Sequence, residues 1–155
     1  MKKKYILLTV LILFFAICTI INYEHTLEIK KQFGANLDRQ FYSMQSNAEG
    51  LKMYIEKSPV IDNLQLSKFT GQLYSDRSLY GIYVVTDKTV YSHFTALENY
   101  IDLAVKTNDI SKVKPSIIHE LDEIIAFSSN LKIQCANKGD FYLNWYNLYA
   151  EHKFE

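Results

Sequence analysis

The stretch that decides the fold is residues 5–23, YILLTVLILFFAICTIINY, which follows residues 1–4, MKKK, and precedes Glu24. These nineteen residues carry no charge. A helix of this length spans about 28 Å, close to the ~30 Å hydrocarbon core of a bilayer. Tyr5 and Tyr23 stand at the two ends, where amphipathic aromatic rings favour the headgroup layer. The stretch therefore predicts one transmembrane helix with the lipid bilayer as its partner.

The charges on either side of this helix predict its orientation. Three lysines precede it, so the positive-inside rule makes residues 1–4 a cytoplasmic stub. Residues 24–155 are then an extracytoplasmic domain with fourteen Lys and Arg against seventeen Asp and Glu, a formal charge of −3. The zero net charge of the whole chain is thus a +3 stub added to a −3 domain. Neither part favours a nucleic acid as partner.

Two kinds of processing compete with an uncleaved signal anchor. A secretory signal is cleaved after small residues, and such residues are missing near the end of the apolar stretch. A lipoprotein signal would use Cys18, but Ile17 stands where that signal needs a small side chain, and the apolar run continues past the cysteine. We interpret the segment as an uncleaved single-pass anchor, with a cleaved signal and a lipoprotein as alternatives.

An apolar stripe continues from the anchor into the outer domain. Steps of three and four residues from Ile20 meet apolar or small side chains as far as Ile55, broken by Lys30, and predict one long helix ending near Lys57, before Pro59. The stripe contains Ile20, Tyr23, Leu27, Lys30, Gly34, Leu37, Phe41, Met44, Ala48, Leu51 and Ile55. We expect it to face the core of the protein's own bundle; a coiled-coil seam is the alternative.

The remaining sequence predicts three or four further helices. The whole chain, with 48% hydrophobic residues, five glycines and two prolines, suits one compact domain. Asp62 is a candidate N-cap, Val90 begins a clear helical stripe, Pro115 fits a first turn, and Asp140 caps a short last helix. The predicted fold class is all-α, an anchor helix that continues into a four- or five-helix bundle, packed roughly antiparallel.

A hairpin is the alternative for residues 82–91. This segment is rich in β-branched and aromatic side chains around Thr86, Asp87 and Lys88, a composition that also suits two short strands. If they form, the domain is a small α/β sensor-like fold instead.

Chemical motifs are weak in this chain. The string 119–123, HELDE, is similar to the helical zinc-hydrolase motif, but Glu123 stands where that motif has a second histidine. We expect its acidic residues to lie on a solvated helix face. Cys18 lies within the predicted membrane segment and Cys135 in the outer domain, so no disulfide between them is predicted. We expect Cys135 to be partly buried. No catalytic residue, cofactor or metal is predicted.

Aromatic residues are the unusual part of the composition, at 14% with twelve tyrosines. Four tyrosine and tryptophan side chains cover neighbouring positions on the last predicted helix, more than one side of a short helix can bury. They are Tyr142, Trp145, Tyr146 and Tyr149. We predict that they form a contact surface for a protein partner in the cell envelope.

The organisation of the chain resembles the helical sensory domains of bacterial chemoreceptors and sensor kinases, without sharing a diagnostic motif. It departs from them in having no second apolar span and only a four-residue predicted stub in the cytoplasm. We therefore expect a non-enzymatic binding, sensing or accessory role. The alternatives are a membrane-tethered oligomeric structural or lysis-type component, which the stripe favours, and a small anchored hydrolase, which residues 119–123 favour.

Overall fold

The computed structural model describes residues 2–58, 61–83, 88–136 and 139–153. These residues form five helices, α1 (Lys2–Lys57), α2 (Asn63–Tyr83), α3 (Lys88–Thr107), α4 (Lys114–Ala136) and α5 (Phe141–Lys153). None of the described residues lies in a strand. The all-α prediction is therefore confirmed, and the long first helix ends at the predicted residue.

The stripe of α1 faces the protein's own core. α1 has 56 residues and is about 84 Å long at 1.5 Å per residue. The first two residues of the stripe, Ile20 and Tyr23, are exposed, whereas its residues from Gly34 to Ile55 are buried. The buried members are Gly34, Leu37, Phe41, Met44, Ala48, Leu51 and Ile55. Their burial within one chain confirms the bundle interpretation of the stripe, and the predicted coiled-coil seam is already occupied.

α4 packs antiparallel to α1, as predicted. Asp122 pairs with Lys52 at 2.6 Å, and the Lys132 ammonium lies 5.6 Å from the centre of the Tyr42 ring. Ten residues forward along α4 thus correspond to ten residues backward along α1. Buried apolar residues of α4 belong to the common core: Ile117, Leu121 and Ile124.

α2 and α3 close the core on the other sides. At the far end of α1, the Tyr54 hydroxyl accepts a hydrogen bond from the Asp62 backbone N–H at 2.7 Å, and the Tyr54 ring stacks on Phe69 of α2. α3 contributes the predicted stripe, buried throughout: Val90, Phe94, Leu97, Ile101 and Ala104.

The helix ends follow the local sequence. Asp62 Oδ1 accepts the backbone N–H of Leu64 at 3.0 Å, and Asp140 Oδ1 accepts that of Leu143 at 3.2 Å, so both predicted N-caps are confirmed. Asn108 follows α3 with φ of 51°, the left-handed conformation in which asparagine commonly ends helices.

The predicted hairpin alternative does not agree with the helices that enter its segment. Ile82 and Tyr83 belong to α2, and Lys88–Tyr91 begin α3. Residues 84–87 lie outside the described residues. Helical context has overridden the strand preference of these side chains, as it often does for short β-branched runs.

Candidate functional site

The first candidate surface is the anchor segment, which we define as Tyr5–Tyr23 of α1. Its described large apolar side chains are 44–68% exposed, and none of the most apolar 18-residue window of α1 is buried inside the protein. The hydroxyls of Thr9 and Thr19 donate to the carbonyls of Tyr5 and Phe15 at 2.9 and 2.8 Å, so the helix satisfies them internally. By length and composition, α1 is able to cross a membrane.

Trp145 lies in the core and not on the predicted contact surface. Its indole is 1% exposed and stacks on Phe41 of α1, with ring centroids 5.1 Å apart. Phe141 and Leu148, on the same side of α5, also pack against the core. The prediction was wrong for Trp145 because residue spacing groups side chains by face without saying which face the rest of the fold covers.

The other three predicted residues form one face of α5, which we call the tyrosine face: Tyr142, Tyr146 and Tyr149. They recur at i, i+4 and i+7. Tyr142 is 43% exposed, while the rings of Tyr146 and Tyr149 are half-buried, with centroids 6.0 and 4.9 Å from that of Phe33. The Lys30 ammonium lies 5.2 Å from the Tyr146 ring centre. Tyr142 is therefore on the protein surface, while Tyr146 and Tyr149 pack between α5 and α1.

α5 crosses α1 and does not run alongside it. Asp140, just before α5, pairs with Lys31 at 2.7 Å, and further along α5 the rings of Tyr146 and Tyr149 still contact Lys30 and Phe33 of α1. At the crossing, the Tyr142 backbone lies directly against Gly34, where an added Cβ would overlap the Tyr142 carbonyl oxygen. The predicted antiparallel packing is thus wrong for α5, because glycine lets the two backbones meet at a crossing.

Asp38 on α1 and the Cys135 thiol on α4 are two partly or fully buried titratable groups near α5. Burial raises the pKa of Asp38, against the opposing charge of Lys132 and a weaker attraction from the Trp145 indole N–H. That N–H has no hydrogen-bond partner of good geometry among the described residues. Burial, followed by the negative charge of Asp38, raises the pKa of Cys135 to about 11. The thiol is protonated at neutral pH and therefore a poor nucleophile.

The acidic string on α4 is divided among separate contacts. Glu120 is buried, and its Oε2 lies 2.6 Å from Nδ1 of His93 on α3. Asp122 pairs with α1, and Glu123 is exposed. The predicted solvated face is therefore wrong for Glu120, which lies one position before the buried Leu121 and is turned toward α3.

Two histidines from different helices lie near each other. The ring of His119 lies 6.4 Å from that of His93, nearly perpendicular to it. Among the described residues, no group of three or more His, Cys, Asp or Glu is placed to hold a metal ion. The pair of His93 and Glu120 was missed because the sequence does not show which faces of α3 and α4 meet.

An open groove of about 210 Å³ lies on α1 close to α5. Its described lining combines apolar side chains with a guanidinium and two amides: Phe33, Asn36, Leu37, Arg39 and Gln40. Such a groove can hold a small polar group, but the residue types do not select one.

The chain matches no protein-family model, no curated protein and no solved structure.

Proposed function

We propose that this chain is a single-pass membrane protein whose anchor segment crosses the bilayer with the amino terminus in the cytoplasm. The helical domain then lies outside the cytoplasm as a non-enzymatic binding, sensing or accessory module with a protein partner in the cell envelope. The observation that supports this most strongly is the change along α1 from an exposed apolar segment to a buried stripe within one uninterrupted helix.

The energetics of that exposed segment support anchoring. Apolar side chains left in water cost about 25 cal/mol per Å² of surface that a bilayer would cover. The segment has no charge, and the lysines lie on one side of it alone, while Glu24 follows on the other. These features favour insertion with the amino terminus inside.

A binding role has more support than the two alternatives. The oligomeric component was favoured by the apolar stripe, but that stripe is buried within the chain from Gly34 to Ile55. The hydrolase was favoured by residues 119–123, but Glu120 is already paired with His93. Self-association through another surface stays a proposal. Sedimentation of the detergent-solubilised chain tests it by measuring the oligomeric state.

Membrane retention tests the anchoring. Lysines at Ile12 and Phe15, near the centre of the anchor segment, oppose insertion by about 2.5–3.5 kcal/mol each. We expect the native chain to stay in the membrane pellet after alkaline extraction and the variant Ile12→Lys with Phe15→Lys to leave it. Ile12→Leu with Phe15→Leu is the matched control and stays in the pellet. Release of the native chain by alkali would overturn the proposal.

In-cell crosslinking tests the partner. A photo-reactive residue at Leu64 or at Leu103, which are 72% and 47% exposed on α2 and α3, samples the sides of the bundle away from α5. We expect one of these positions to give a discrete adduct with an envelope protein, identified by mass spectrometry. Adducts with lipid or with the chain itself at both positions would count against a protein partner there.

A further inference from the structure

We propose that α5 lies on the surface of the membrane that holds α1, with its tyrosine face in the lipid headgroup layer. This inference rests on the proposed function, because it requires the anchor segment to be inserted. It assigns the tyrosine face to lipid, whereas the sequence predicted a protein partner there.

The crossing of α1 and α5 gives α5 the orientation of a surface helix. Asp140 just before α5 and Tyr149 near its end are about 14 Å apart along α5, yet they contact α1 at Lys31 and Phe33, about 3 Å apart along its axis. Between them, Trp145 reaches Phe41 from the other side of α5. When α1 stands across the bilayer, α5 therefore extends mainly along the membrane plane. Trp145 points away from the anchor segment, toward Phe41, and the tyrosine face lies on the side of Lys30.

The height of α5 above the bilayer follows from α1 itself. Gly34 is eleven residues beyond Tyr23, which is about 16 Å along the helix axis. A helix with its side chains has a radius of about 5–6 Å, so the lower side of α5 lies about 10 Å above Tyr23. The headgroup layer is about 5–8 Å thick, and the usual helix tilt of about 20° lowers one side of the bundle by a few Å. A tilt toward α5 brings the tyrosine rings to the headgroups, and the proposal includes a tilt in that direction.

The composition of α5 suits this position. Residues 141–150, FYLNWYNLYA, are uncharged, and no uncharged run in residues 24–155 is longer. Tyrosine rings favour the interface between hydrocarbon and water, since the ring is apolar and the hydroxyl reaches the headgroups. Ile29, which is 54% exposed and lies five residues before Gly34 on α1, adds an apolar side chain at the same level.

Fluorescence quenching in vesicles tests the inference, with positions along α1 as references for height above the bilayer. The full chain, with its one tryptophan changed by Trp145→Phe, is reconstituted into phosphatidylcholine vesicles that contain a nitroxide-headgroup lipid. A single tryptophan is then placed by Tyr142→Trp on α5. On α1 it is placed in turn by Tyr23→Trp at the bilayer edge, Ile29→Trp just above it, and Met53→Trp about 45 Å above.

We expect Tyr142→Trp to lose as much emission as Ile29→Trp, and Met53→Trp to lose almost none. If Tyr142→Trp is quenched no more than Met53→Trp, α5 is off the membrane and its tyrosine face is free for a protein. If Met53→Trp is quenched as strongly as Tyr142→Trp, the whole bundle lies flat and the crossing argument is wrong. Both outcomes leave Tyr23→Trp quenched. Loss of quenching at Tyr23→Trp contradicts the anchoring itself.

The Trp145→Phe background keeps an aromatic ring against Phe41, and far-ultraviolet circular dichroism checks that it is folded. If it does not fold, the same reporters are measured with Trp145 retained. The buried Trp145 indole then adds the same emission to every variant. This emission is measured on the native chain and subtracted.

Discussion

The backbone of Tyr142 lies so close to Gly34 that no side chain fits between α5 and α1. This contact sets the crossing of the two helices and brings Trp145 onto Phe41. Since the obstruction is backbone carbonyl and not a flexible side chain, a substitution here has to move α5 as a whole.

Gly34→Ala is therefore expected to destabilise the protein by about 1–3 kcal/mol through overpacking, although alanine favours helix by about 1 kcal/mol. The measurement is urea unfolding of the full chain in detergent, followed by Trp145 fluorescence. Gly71→Ala on α2 is the matched control, because a Cβ there meets nothing within 4 Å, and it should be neutral or stabilising. Equal effects of the two substitutions would contradict the close crossing.

The pair of His93 and Glu120 is mostly buried, with side chains 20% and 11% exposed. His93→Ala leaves the Glu120 carboxylate without this partner between α3 and α4, and should cost about 3 kcal/mol of unfolding free energy. The double variant His93→Leu with Glu120→Leu should recover most of that loss, because an apolar pair carries no desolvation penalty.

His119→Ala is the control for this pair, since His119 is exposed; its effect should stay within about 0.5 kcal/mol. The same unfolding assay measures all three variants. A His93→Ala effect as small as that of His119→Ala would show that the pair contributes nothing to stability.

The Cys135 thiol should resist alkylation in the folded protein. In a Cys18→Ser background, iodoacetamide labelling at pH 8 should be far slower in buffer than in urea, because burial raises the pKa of Cys135 to about 11 from an ordinary value of 9.0. Between pH 9 and 11 the unfolded thiol ionises while the folded thiol does not, so stability falls as the pH rises.

Cys135→Ala should remove that part of the alkaline destabilisation, on the order of 2–3 kcal/mol by the end of the interval. Unfolding curves at pH 8 and above, with and without Cys135, isolate the contribution of the thiol. Rapid labelling of the folded chain at pH 8 is the result that contradicts its burial.

Periodicity and end signals predicted much of this fold. The stripe from Gly34 to Ile55, the caps at Asp62 and Asp140, and the end of α1 at Lys57 depend on local chemistry within one helix, so they can be read from spacing. The crossing of α5 cannot, because it depends on which backbone approaches Gly34.

The candidate sites were predicted less well for the same reason. Spacing placed Trp145 among the tyrosines of α5, yet the indole belongs to the core. Glu120 followed an acidic pattern typical of a solvated face, yet its carboxylate meets His93 from another helix. Contacts between helices are decided by packing, which a single sequence does not display.

The central claim is that α1 crosses the membrane and holds the bundle outside the cytoplasm. It is tested most directly by Met53→Cys in a Cys18→Ser background, since residue 53 is 51% exposed and the remaining Cys135 is buried. Intact cells are treated with a membrane-impermeant maleimide, and the label is measured in the membrane fraction. We predict full labelling without permeabilisation and none on the parent chain that keeps Met53. Labelling only after permeabilisation, or labelled protein outside the membrane fraction, would contradict the claim.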